Sequence, residues 1–403
     1  MTHRNDLLKE IAGLAEGLTG ELTARRREFH QYPELSHQEE RTAWTVAKYL
    51  QDLGLEVQTG IAGHGVVGRL AGRRPGKTVA FRADMDALPL TEKVQVPWRS
   101  QLPGVMHACG HDFHLSVALV TARLLSAIRD RLAGQFRFIF QPAEEGPPRG
   151  EDSGAQGMVR AGVLEHPGVD AILALHVAPN LDAGQFRGSP EVVMAGADRL
   201  ILTVTGTPAH GATPHRGVDP ILVSAQTLTL IQGFLAQRID ARHPVVLTFG
   251  RIAGGERFNI LAETVTLEGS LRYLQESVHQ DVLAGLRRQL AGLAQATGAR
   301  IELNADSVYP ILKNDPALSA RALEVLRQLF GPKRLKLNQP AMGSEDFSYF
   351  ANLVPAFYFF LGVRTPGTQG QALHSPKFNP DEAALPWGLK AAAGLMAALA
   401  EGD

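Results

Sequence analysis

Short, nearly unbroken apolar runs recur along the first half of the chain: VVGRL at 66–70, TVAFRAD at 78–84, FRFIF at 136–140 and AILALH at 171–176. Runs of that length without alternation fit strands buried on both faces. Between the second and third lies LSVALVTARLLSAIRD, 115–130, which reads as a helix. Buried strands separated by helical stretches predict an α/β sheet.

The pattern changes near residue 188, after APNLDAGQFRGSP, whose Gly, Pro and Asn content reads as a linker. Beyond it the chain predicts strand 198–206, helix 219–236, strands 244–251 and 263–273, helix 276–296 and strand 300–306. Asp219 is placed to cap the first helix, with Pro220 in its first turn. The second carries Val282, Leu286, Leu290 and Leu293 on one face and stops at Gly298. In strand 263–273, Val265, Leu267 and Leu271 alternate with Thr264, Thr266, Glu268 and Arg272, so one face is buried and one polar. The order β-α-β-β-α-β is that of a ferredoxin-like unit. Buried-strand character returns at AFYFFLG, 356–362, and a helix over roughly 381–401 closes the chain. The expected organisation is therefore one α/β domain in two parts, 1–187 and 307–403, with an α+β domain, 188–306, inserted between them.

A chain of 403 residues is long enough for two cores. Its 40 basic and 41 acidic residues leave a net charge of -1. That balance supplies no field suited to nucleic acid or to an anionic membrane, and small neutral or zwitterionic substrates fit better. The first eighteen residues have scattered charges rather than the apolar run of a signal peptide, and no segment is uniformly apolar over 18 residues. The expected location is cytoplasmic. Cys109 is the single cysteine, so no intrachain disulfide forms and its neighbours decide its role.

Those neighbours are rich in chemistry. Open α/β sheets bind ligands at the carboxyl ends of their strands, and three predicted strand ends and one helix start here carry donors or lead into them. Strand 78–83 runs into Asp84 and Asp86, strand 136–140 into QPAEEG with Glu144 and Glu145, and strand 171–175 ends on His176; HACGHDFH, 107–114, precedes a helix. Cys109 and His111, two apart in an irregular segment, can turn a thiolate and an imidazole toward one cation, a pair suited to zinc and, with carboxylates, to manganese, cobalt or nickel. His107 and His114 read instead as capping, packing or outer residues. Neighbouring side chains outside a helix point different ways, so one of Glu144 and Glu145 can bind metal while the other takes a proton from water. Asp84 and Asp86 either orient ligand histidines or simply end a strand. His374, in LHSPKFNP, can close the site from the C-terminal part.

Assembled in order, RRREFHQYPELSHQEE (25–40), FRADMDALPL, MHACGHD, QPAEEG, ALHV, AHGATPHRGVDPI (209–221), GSEDF (343–347) and LHSPKF make the sequence resemble the M20 metallopeptidases. The resemblance is to their amidohydrolase branch of hippurate hydrolases, N-acyl-amino-acid deacylases and auxin-conjugate hydrolases. It implies a phosphorylase/hydrolase-like α/β catalytic domain with the inserted domain as a lid, and a homodimer formed through that lid. It further implies two divalent ions per subunit (Zn, Mn, Co or Ni) held by Cys109, His111, Glu145, His176 and His374, with Glu144 as general base. The lid residue His210 would stabilise the oxyanion, and Asn259 and Arg272 would hold the carboxylate of an N-acyl amino acid. Phe113 stands where many relatives have Gly, which would narrow the pocket near the metals. Three other readings stay open: a dipeptidase or aminopeptidase of the same family, a thiol amidase with Cys109 as nucleophile and His111 or His176 as its base, and a non-catalytic metal-binding relative.

Overall fold

The computed structural model describes residues 2–146, 152–337 and 339–401. The chain divides into two compact units, Met1–Val193 with Lys313–Gln339 and Asp346–Asp403, and Met194–Leu312 with Pro340–Glu345.

The first unit is built on an eight-stranded sheet. Its strand order is Glu56–Ile61, Gly65–Ala71, Ala133–Gln141, Arg74–Asp84, Ala171–Asp182, Ala356–Arg364, Phe186–Gly188, Leu335–Leu337. The four central strands, Ala133–Gln141 through Ala356–Arg364 in that order, run parallel, and all carry the long apolar runs that the sequence shows. Their carboxyl ends therefore share one edge. Helix His111–Ala127 is buried on nearly every face and packs with Thr19–Gln31 and the C-terminal helix Leu385–Ala400. The segment Glu382–Ala400 is long and apolar enough by composition to cross a membrane, but 78% of it is buried inside the protein, so it serves as a core helix.

Two details differ from the sequence reading. The helix predicted from 115 begins at His111, which places this donor in its first turn and Cys109 just before the N-cap Gly110. The stretch taken for a linker is instead the end of strand Ala171–Asp182 and the strand Phe186–Gly188, which pairs antiparallel with Ala356–Arg364. Turn-forming residues there mark a tight reversal, with Gly184 at φ 77, between two strands of one sheet.

The second unit has four antiparallel strands in the order Arg300–Tyr309, Gly196–Thr205, Thr264–Tyr273, Val245–Gly254, that is fourth, first, third, second. Helices Pro220–Arg238 and Glu276–Thr297 supply the crossovers, giving the ferredoxin-like topology. The Asp219 side chain accepts from the Ile221 N–H with Pro220 in the first turn, and Gly298 ends the second helix in the left-handed region. The main stretch of the unit runs from Met194 to Leu312, six residues later at each side than the domain 188–306 drawn from the pattern change, and the unit also takes in Pro340–Glu345.

Candidate metal centre

The pairing register sets the level of the donors. Arg82 pairs with Ala174 and Asp84 with Gln141, while His176 pairs with Phe360 on its other side. His176 thus stands level with Asp84. Its strand does not end there: it continues to Asp182, and only the pairing with Arg74–Asp84 stops at Ala174. The imidazole projects where the sheet has lost one neighbour.

The helix that follows Cys109 is entered through Gly110, whose φ is 90. A β-carbon there would lie 2.5 Å from Cγ2 of Val177. Glycine allows both the left-handed turn and the close approach, and so brings Cys109 and His111 against the strand that carries His176. The Cys109 sulfur is 3.5 Å from His176 Nε2. From the C-terminal part, the His374 N–H donates to the Ala108 carbonyl, and its Nε2 lies 3.3 Å from Glu145 Oε1.

The donor atoms of Cys109, His111 and His176 all lie within 4.8 Å of one another, and so do those of Cys109, Glu145 and His374. The sulfur belongs to both groups. Glu144 joins Glu145 and His111 in a further group at the same spacing. Ring orientation suits metal binding. His111 Nδ1 lies 2.8 Å from the Asp86 carbonyl and His176 Nδ1 2.8 Å from the Val177 carbonyl. Carbonyls only accept, so both Nδ1 atoms carry hydrogen and each Nε2 presents its lone pair. His111 Nε2 is buried and lacks a hydrogen-bond partner among the described residues. Sulfur, imidazole and carboxylate in two groups of three, with an orphaned buried imidazole nitrogen among them, fit two divalent cations.

The electrostatics agree. Burial works against a charged His111 ring, yet Asp84, Asp86 and Glu145 outweigh it and raise its pKa to about 10, so the site favours positive charge at Nε2. Burial, then the charges of Glu145 and Glu144, push the Cys109 thiol well above its ordinary range. A nucleophilic cysteine needs the opposite surroundings, which counts against the thiol-amidase reading. A cation would hold the thiolate instead.

Outer contacts fix these donors. Asp86 accepts from the Glu145 N–H (2.9 Å) and from the Ser36 hydroxyl (2.7 Å) on one oxygen, while its carbonyl holds His111. Asp84 accepts from His114 Nδ1 (2.7 Å), and His114 Nε2 accepts from the Val177 N–H (3.0 Å). Both nitrogens of His114 are therefore engaged, and it lies outside the ligand set. Burial raises the carboxyl of Asp84, but His111, His114 and Arg82 overcome it and hold Asp84 well below the usual range. His107 is buried and neutral, pushed down to about 3 by burial.

Several placements depart from expectation. Phe113 is fully buried in the hydrophobic core, away from the pocket position expected for it. In the second unit, His210 and Asn259 lie together: His210 bridges to Ile260, and the Gly211 N–H donates to the Asn259 carbonyl. Arg272 does not join them. It pairs with Ala197 and Val246 at the far end of strand Thr264–Tyr273, about 26 Å along it at about 3.3 Å per residue. Its guanidinium donates to the hydroxyls of Ser270 (2.9 Å) and Ser344 (2.5 Å). The sequence reading also missed Asp346, buried, which accepts from Arg82 (2.8 Å) and from Gln141 Nε2 on both oxygens (2.9 and 2.8 Å). The GSEDF motif was the only signal for it.

The description "Peptidase family M20/M25/M40" matches residues 80–398. Among named relatives, thermostable carboxypeptidase 2 of Saccharolobus solfataricus is 37% identical over 95% of this chain and 96% of its own length. N-acetyl-L-cysteine deacetylase of Bacillus subtilis is 34% identical over 91% and 85%. Among solved structures, the Bacillus subtilis YXEP protein, described as a dinuclear metal-binding peptidase from the M20 family, superposes with a TM-score of 0.83 at 31% identity, covering 96% of this chain and 100% of that one.

Proposed function

The chain belongs to peptidase family M20/M25/M40, and from that premise we propose that it hydrolyses the amide bond of N-acyl amino acids. The observation that carries the reading is the pair of three-donor groups sharing Cys109, with Glu144 beside them. Cys109, His111, Glu145, His176 and His374 would hold two divalent cations of the Zn, Mn, Co or Ni kind. Such ions polarise a carbonyl and lower the pKa of water from about 15.7 toward about 7. Glu144, partly exposed beside the ligands, would take a proton from the attacking water and pass it to the departing nitrogen.

The inserted unit is proposed as the lid. Its His210 Nδ1 accepts from the Ala212 N–H, so the remaining proton sits on Nε2, the form that donates to a developing oxyanion. Asn259 and Arg272 are proposed to hold the substrate carboxylate. The span between them along one lid exceeds a small substrate, so the two act on one molecule only if a second copy supplies one of them. A homodimer through the lid meets that need. Ile221, Leu222, Ile252, Phe258 and Ile260 are exposed there, and Val245–Gly254 is an edge strand of the lid sheet. A monomer by light scattering at micromolar concentration would remove this part. The proposed compartment is the cytoplasm, which fits a catalytic thiolate ligand kept reduced.

Deacylases and carboxypeptidases cut the same bond, because the last residue of any peptide is an N-acyl amino acid. The test is hydrolysis of N-acetyl- and N-benzoyl-amino acids and N-blocked dipeptides, before and after chelation and with Mn²⁺, Zn²⁺ or Co²⁺ restored. Activity lost to chelator and regained with metal is expected. Activity indifferent to chelation refutes the proposal.

A further inference from the structure

No residue of the segment Pro33–Glu39 belongs to the three-donor groups, yet the segment reaches the proposed catalytic loop at two points. Ser36 donates to Asp86, which in turn accepts from the Glu145 N–H. Glu39, whose side chain is buried, accepts the Ala143 N–H at 2.8 Å. Ala143 immediately precedes Glu144 and has a φ of 49, a left-handed conformation that costs a non-glycine residue of order 1 kcal/mol or more and persists only where its surroundings impose it.

The surroundings here are specific. The Ala143 carbonyl accepts from the Gly154 N–H at 3.0 Å, and a β-carbon on Gly154 would lie 1.6 Å from the Pro142 carbonyl oxygen. Ala143 is thus gripped at its N–H by Glu39 and at its carbonyl by a helix start that only glycine permits. The left-handed turn at Ala143 decides the direction in which the next two side chains leave the backbone. One reaches toward His374 and the other toward His111.

Resting on the proposed role of Glu144 as general base, we propose that Glu39 is a positioning residue that sets the direction of Glu144 by holding the Ala143 N–H. It touches neither substrate nor metal ligand. Its loss leaves a buried N–H unsatisfied and frees the strained turn to relax, moving the base by an amount of order 1 Å, a displacement worth about 10²-fold in rate.

The experiment compares E39A, E39Q and E144A as metal-loaded full-length enzymes. It reads kcat, KM and bound metal by mass spectrometry, with circular dichroism confirming the fold. E39A is expected to lose about 100-fold in kcat with KM and metal content within about 3-fold of wild type. E39Q keeps an acceptor for the Ala143 N–H and is expected to recover kcat to within about 5-fold. E144A, silent while fully metallated, confirms the base on which the inference rests. Wild-type kcat in E39A with E144A silent overturns the positioning role alone, as does a fall in metal content that accounts for the lost rate. An active E144A overturns both readings, since there is then no base to position. If E39A fails to fold, E39Q decides: a kcat as low as that of E144A overturns the proposal.

Discussion

Substituting Gly110 by alanine tests whether the turn before helix His111–Ala127 is what gathers the ligands. At φ 90, alanine carries a conformational cost of roughly 1–2 kcal/mol. Its β-carbon would also stand 2.5 Å from Val177 Cγ2. Valine has little rotamer freedom with which to yield, and this one is fully buried, so overpacking adds about 1–3 kcal/mol. A total of about 2–5 kcal/mol lowers Tm by about 10 °C in a unit of this size. The strain falls on Cys109 and His111 on one side, and on Val177 with its neighbour His176 on the other. G110A should therefore bind less metal as well as melt earlier. V177A alone loses about 2 kcal/mol through its deleted methyl groups. In G110A/V177A the new β-carbon enters the space that Cγ2 vacated, so the double variant should be at least about 1 kcal/mol more stable than the sum of the single effects. Chemical denaturation gives the energies, and mass spectrometry gives the metal per chain. Additive energies, or a G110A enzyme with wild-type Tm and metal content, would refute the reasoning.

Two further predictions rest on buried charge. Arg82 is buried and donates to Gln141, Asp84 and Asp346, so D346A leaves a guanidinium short of a partner and should cost about 3–5 kcal/mol; a urea midpoint that implies less than about 1 kcal/mol would contradict it. In the second unit His279 stacks on Tyr273 at 3.9 Å and lies between Asp198 (2.5 Å) and Glu276 (3.2 Å). Burial opposes its charge, but the two carboxylates prevail and raise its pKa above 6.5. The stability this supplies is complete below about pH 6.5, the unfolded value, and fades as pH climbs through the higher folded pKa. The Tm gap between wild type and H279Q should accordingly be widest at pH 6 and shrink toward pH 8.5; a gap that is constant or grows with pH would contradict it.

What the sequence determined by itself is whatever local pattern encodes. Unbroken apolar runs required strands buried on both faces, and the alternation in Thr264–Tyr273 with the Asp219-Pro220 cap specified the inserted βαββαβ unit, because period and capping depend only on neighbouring residues. The type of chemistry was legible too, since HACGHD and QPAEEG bring soft and hard donors to a helix start and a strand end whatever the details of packing. The tertiary structure decided the rest. That one sulfur serves two donor groups follows from the left-handed turn at Gly110 against Val177, a contact 67 residues away in sequence. Phe113 is core rather than pocket because helix His111–Ala127 starts four residues earlier than its apolar pattern suggests and is buried all round. Asn259 and Arg272 sit at opposite ends of one strand's reach, although both read simply as polar lid residues. Glu39 and Asp346 are indistinguishable from solvated carboxylates in one dimension, and Asp84 and Asp86 read equally as orienting ligand histidines or as ending a strand. Each acquires a task only when folding removes its water and offers a fixed N–H, imidazole or guanidinium in exchange, and those partners come from segments that no local period connects.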